Sequence, residues 1–329
     1  MDIVSFRKII LIATVFAAGC SHQSTDPVVY TQAIAMTVRN LPESRTGETY
    51  ALWMGFPGST AHSQKNSPQH SGSTKYSLVS RFTIDSSGKI VGFDTSKLSS
   101  RLRYSLALAE QADISVELAS SVNDTLPAAI LMVSDFSGSA HQGVAALKVS
   151  DDAALGYDFS TLTGAYTLTP PVGNDSVNGT DIYLMNATSA SNTSPSLQNL
   201  PSLNRPWRYA LWIADTISSG PWVHFYGSFI SASGFDADSA NDYFPFPGGR
   251  VPRDTTKGAF NLRASGKAQV LVTLEPGTFG PGDLYTRPPG PFGVWLLRGT
   301  IPTNQPYFSP VGLTNVAAST PTATVIINR

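Results

Sequence analysis

The phrase Asn40-Leu41-Pro42 followed by Tyr50-Ala51-Leu52-Trp53 returns as Asn199-Leu200-Pro201 followed by Tyr209-Ala210-Leu211-Trp212, each residue 159 positions from its counterpart. Seven identities in one register mark an internal duplication. Solenoid repeats recur every ~20–50 residues, so so long a period means tandem units of domain size. Whatever this chain folds into, one plan must serve twice.

Weaker matches extend the two copies. Arg81-Phe82-Thr83-Ile84 aligns with Ser228-Phe229-Ile230-Ser231, Ala112 to Leu118 with Ala268 to Leu274, and Ile130 to Val133 with Val294 to Leu297. Tyr50, Leu52, Met54 and Phe56 alternate with other residues, as do Ile114, Val116 and Leu118, and Val270, Val272 and Leu274. Period-two alternation is the mark of strands with one face on a core. Gly and Pro interrupt these runs at the spacing of a sandwich, and Asn174 to Gly179 reads as a hairpin turn between strands at Ala165–Leu168 and Asp181–Met185. The expected fold is all-β: two tandem Ig-like β-sandwich domains, residues 30–153 and 154–329. The best helical candidate, Leu102 to Ala112, has only loose apolar spacing.

Each Tyr-Ala-Leu-Trp strand places its tryptophan on the face opposite Tyr and Leu. Trp53 and Trp212 are therefore either covered by a loop or neighbouring domain, the indole N–H bonded to a carbonyl, or exposed as anchors for a ligand or partner. Tyr243, Phe244 and Phe246, in a proline- and aromatic-rich loop, are further contact candidates.

The N-terminus reads as an export signal. Arg7 and Lys8 precede an apolar run, Ile9 to Ala18, which is too short for a bilayer span of roughly 20 residues. Ala17-Ala18-Gly19 then leads into Cys20, the chain's single cysteine, which has no internal disulfide partner. The stretch resembles a bacterial lipobox, which implies cleavage between Gly19 and Cys20, diacylglyceryl and acyl (palmitate) chains on Cys20, and a short tether over residues 20–29. Two or more acyl chains hold a protein stably to a membrane. Ser21 after the cysteine fits the outer membrane better than the inner.

A net charge of −1 without runs of one sign excludes a nucleic-acid footprint. Searching for chemistry gives little. Ser86-Ser87-Gly88-Lys89 satisfies S-x-x-K, but it sits in a glycine-containing turn without the accompanying motifs. His22, His62, His70, His141 and His224 lack metal spacing, although His62 and His70 share one polar loop. Asp236 to Asp242 begins like a calcium loop but has no central glycine and no closing glutamate. No catalytic residue, metal or cofactor is assigned.

One family resemblance stands beside this reading. Leu41-Pro42 with Tyr50, Leu52 and Trp53, then Phe82, Asp85 and Gly88, and in the second copy Leu274-Glu275-Pro276, resemble the extracytoplasmic C-terminal domain of anti-sigma-K factors. The first copy departs at Leu118-Ala119-Ser120. The resemblance implies a duplicated envelope domain. It does not extend to sigma binding, which needs a cytoplasmic domain and a membrane-crossing helix that the sequence does not suggest. The expectation is a lipid-anchored, non-enzymatic envelope protein that binds or scaffolds another envelope protein or a glycan. The alternatives are a polysaccharide-binding surface lipoprotein and an accessory sensor of envelope stress.

Overall fold

The computed structural model describes residues 34–57, 74–96, 105–121, 125–170, 180–203, 206–217, 220–232, 246–250, 253–254, 258–259, 262–264, 266–276 and 290–329. Cys20, His22, His62, His70, Tyr243, Phe244, the 174–179 turn and the 236–242 loop lie outside them. Among the described residues there is no α-helix.

The first copy supplies β1 (Ile34–Arg39), β2 (Glu48–Phe56), β3 (Lys75–Ile84), β4 (Ile90–Val91), β5 (Gln111–Leu118), β6 (Ala129–Asp135), β7 (Ser137–Gly138) and β8 (Gln142–Lys148). Next come β9 (Gly164–Thr169), β10 (Asp181–Tyr183), β11 (Met185–Ser189) and β12 (Asn192–Pro195), then β13 (Trp207–Ile217) and β14 (Gly220–Phe229). The rest are β15 (Gly248–Arg250), β16 (Arg253–Asp254), β17 (Gly258–Ala259), β18 (Gln269–Pro276), β19 (Trp295–Thr300), β20 (Val311–Asn315) and β21 (Thr322–Asn328). Within the best helical candidate of the sequence, Leu102 to Ala112, the described residues hold a 3-10 turn, Leu106–Leu108, and the start of β5.

Two curled antiparallel sheets result, as in two β-sandwich-like halves. The first runs β1-β21-β8-β6-β5-β2-β3-β4 and the second β14-β13-β18-β19-β20-β9-β10-β15. Their central pairings repeat closely: Tyr50 lies opposite Phe82 and Tyr209 opposite Phe229. Both copies also shift register between the leucine and the tryptophan of the repeated phrase.

The outer strands do not follow the chain. The strand after β8 is β9, which joins the second sheet beside β20; the strand after β20 is β21, which joins the first sheet between β8 and β1. Corresponding pairs show that β9 and β21 are copies of one another. Arg39 pairs with Thr322 and Gln198 with Thr163, while Leu147 pairs with Ala323 and Leu313 with Gly164. Thr163 and Gly164 stand 159 residues before Thr322 and Ala323, the spacing of the repeated phrase. Each half has given its last strand to the other. The boundary expected at 153/154 therefore does not divide the molecule in space, and residues 32–329 form one compact unit.

A single buried cluster runs through both halves, with Leu52, Met54, Ile114 and Val116 from one copy and Leu211, Ile213, Val270 and Val272 from the other. Every residue of the repeated phrase has a place in this plan. Asn40 and Asn199 take positive φ, 54° and 57°, a conformation asparagine adopts more readily than most residues. The Tyr50 hydroxyl donates to the Pro42 carbonyl at 3.0 Å and that of Tyr209 to Pro201 at 2.8 Å. Leu52 and Leu211 fill the common core, and the alanines sit beside the tryptophans in two smaller clusters on the opposite faces.

The phrases also hold the halves together. Arg45 donates to Glu275 of the second copy at 2.6 Å and to the Gly290 carbonyl at 2.7 Å, and also pairs with its own neighbour Glu48. From the other side, Trp207 donates its indole N–H to the Ile130 carbonyl at 2.8 Å. Gly293 allows Pro42 to close in, since a Cβ there would stand 2.7 Å from the proline.

Candidate functional site

The tryptophans of the duplicated strands come first. Trp53 is 0% and Trp212 1% exposed, so neither is available as a surface anchor. Their indole N–H groups, expected to meet carbonyls, instead meet hydroxyls. Trp53 donates to Ser115 Oγ at 2.8 Å, Ser115 donates to Glu117, and the Ala128 amide donates to the same carboxylate at 2.8 Å. In the second copy Trp212 donates to Thr273 Oγ1 at 3.2 Å and also directly to Glu275 at 3.3 Å, Thr273 donates to Glu275 at 2.8 Å, and the Phe292 amide to Glu275 at 2.8 Å. A tryptophan, a hydroxyl and a carboxylate thus form the same chain twice, ending on the amide of the loop that enters the next strand.

This geometry corrects the sequence alignment by two residues. Trp53 faces Asp113 and Trp212 faces Leu271, so Glu117 corresponds to Glu275, and Val116-Glu117-Leu118 is the first copy's version of Leu274-Glu275-Pro276. Sliding a strand by two keeps every side chain on its original face. Alternation therefore could not fix the alignment. Burial raises the pKa of Glu117, its bonds to Ser115 and the Ala128 amide opposing the shift; burial raises that of Glu275 too, against the pull of Arg45.

The remaining aromatic and motif candidates separate. Phe246 is buried with Tyr183, Met185 and Ala187, so it closes a small core instead of facing solvent. Ser86 to Lys89 is a turn between β3 and β4. The Asp85 carboxylate accepts from the Ser87 and Lys89 amides, and Gly88 supplies the positive φ. Its hydrogen bonds are those of an aspartate-stapled turn, without the helix that the S-x-x-K nucleophile requires. Among the described residues no group of His, Cys, Asp or Glu could hold a metal ion.

What singles out the first copy is Asp113, where the second copy has Leu271. Asp113 is 0% exposed, and neither carboxylate oxygen has a hydrogen bond of regular geometry. Burial drives its pKa well up, the nearby Asp151 and Asp135 push in the same direction, and only the Tyr76 hydroxyl stabilises the anion. Asp135 also lines an open cleft of about 520 Å³ with Pro57, Leu108, Glu110, Phe136 and Arg329. Leu108 on the 3-10 turn is 56% exposed, and Arg329 closes one side by donating to the Ala109 carbonyl at 3.1 Å. The cleft is open and mainly polar, with Glu110 and Asp135 set against Arg329 and with Pro57, Leu108 and Phe136 as its apolar part, a lining that suits a small polar group with some apolar surface. No periodicity announces such a place, because the ends of β2 and β6 and the 3-10 turn meet there through their pairing with β5, and the exchanged β21 then adds Arg329 from the far end of the chain.

The sequence matches no family model, curated protein or solved structure. Among the described residues no helix is long and apolar enough to cross a membrane.

Proposed function

We propose that the chain is a lipid-anchored, non-enzymatic protein of the bacterial cell envelope whose folded body binds or scaffolds another envelope component. The observation that carries this reading is Cys20, the single cysteine, placed directly after a short apolar run and Ala17-Ala18-Gly19. A membrane-held body with an open cleft of mixed charge supports a binding role, and the conspicuous Ser, Thr and Glu side chains are engaged in fixing the buried tryptophans. Anchoring is tested by feeding cells an alkyne-labelled palmitate analogue: label on the wild-type chain and none on Cys20→Ala is expected. Crosslinking in living cells then tests binding. One dominant partner with the wild-type chain and its loss with Cys20→Ala is the expected pattern; unlabelled protein, or crosslinks indifferent to the anchor, would overturn the proposal.

A further inference from the structure

Four strands end the two sheets, and three of them are poor templates for pairing. β4 has two residues and β15 three, too short to nucleate a ladder. β14 is long, but it contains Pro221 and its register against β13 shifts at Leu211/Trp212. These are the devices by which natural edges avoid association: shortness, proline and bulges.

β1 has none of them. Its six residues pair without a break with β21 on one side, from Ile34↔Ile327 to Arg39↔Thr322, and among the described residues no strand lies on the other. It contains no proline and no lysine, and its one charge is Arg39 at the end. The second half closes the matching flank differently, adding β15 outside β10 from a stretch with no counterpart in the first copy.

We propose that β1 is the contact through which two copies of this chain associate, β1 against β1 and antiparallel, so that the first sheet continues across a twofold axis. A twofold normal to the sheet pairs residues of like face. Centred on Met36, it sets Ile34 against Val38 and Met36 against its own copy on the core side, and Ala35 against Thr37 on the outer side. Met36 and Val38 are half-buried and already pack on the core cluster, so the pairing extends that core at its rim. No like charges meet, because the two Arg39 side chains stand about 20 Å apart at opposite ends of the joint. The contact needs no lipid anchor, and its test is independent of the function proposed above.

Sedimentation equilibrium of the full-length Cys20→Ala chain is expected to show a reversible dimer. Adding Ala35→Lys with Thr37→Lys, both exposed positions, sets lysine against lysine in two pairs and is expected to weaken association by about tenfold or more. The monomer's melting temperature should not change. Mixing an Ala35→Cys chain with a Thr37→Cys chain under mild oxidant should give the mixed disulfide in preference to either homodimer. A chain that stays monomeric up to about 1 mM, a dimer insensitive to the lysines, or disulfides without that preference would overturn the proposal. So would β1 amides protected from exchange only when another envelope protein is added, which would give the edge to a foreign strand.

Discussion

Asp113 is where the two copies differ most in kind, a buried carboxyl against the leucine of the partner copy. In the folded chain its pKa lies well above the ordinary 3.8 because burial disfavours the charged form. Between those values the folded state keeps a proton that the unfolded chain has released. The contribution of Asp113 is therefore fully present below the ordinary value and is lost as pH rises toward the folded one. Asp113→Asn keeps the shape and removes the titration. It should stabilise the protein by about 1–3 kcal/mol near pH 8, with the gain shrinking toward pH 4. Thermal melts of both proteins across that range check it, and a gain that does not vary with pH would mean that the carboxyl is not held neutral. The same scale shows what the sequence made legible. The repeated phrase stands out by its seven identities, and alternation alone puts its tryptophans off the face shared by Tyr and Leu. Whether they were covered could not be read, because that depends on Ser115, Glu117 and their second-copy equivalents, whose alignment a two-residue slip leaves indistinguishable.

Strands and their faces were legible because alternation is local; their neighbours were not. β21 reads as a sound strand, Ala323, Val325 and Ile327 alternating with more exposed residues, yet nothing in that pattern says whether it lies beside β20 or β8. Its burial is extensive, since those three side chains belong to the common core. Deleting residues 321–329 should leave β1 and β8 without their partner and lose the cooperative fold of the first half. Burial of Val325, Ile327 and the smaller Ala323 accounts for about 4–7 kcal/mol, near the lower end of the stability of an ordinary domain. Hydrogen exchange would show it: amides of β1 and β8 should lose protection first, and equal loss in β13 and β14 would mean that the halves cannot unfold separately at all.

Across the whole molecule the exchange makes the two halves interdependent, and the joint of Arg45 with Glu275 and of Pro42 on Gly293 adds to it. A fragment spanning residues 30–153 should not fold, since it lacks β21. The same fragment ending at residue 150 and continued through a glycine-serine linker into 322–328 should fold as a monomer with a single melting transition, because the linker restores the strand between β1 and β8. Circular dichroism and calorimetry of the two fragments decide this; a folded 30–153 fragment would show that β21 is dispensable. The late position of β21 also sets an order of events in time. At about 5–20 residues per second, roughly 10–40 s separate completion of β8 from completion of β21, and for that interval the first half lacks one of its middle strands. A ribosome therefore handles a chain whose leading half cannot lock shut until its trailing end has arrived, a built-in delay that keeps the polypeptide threadable until β21 is made.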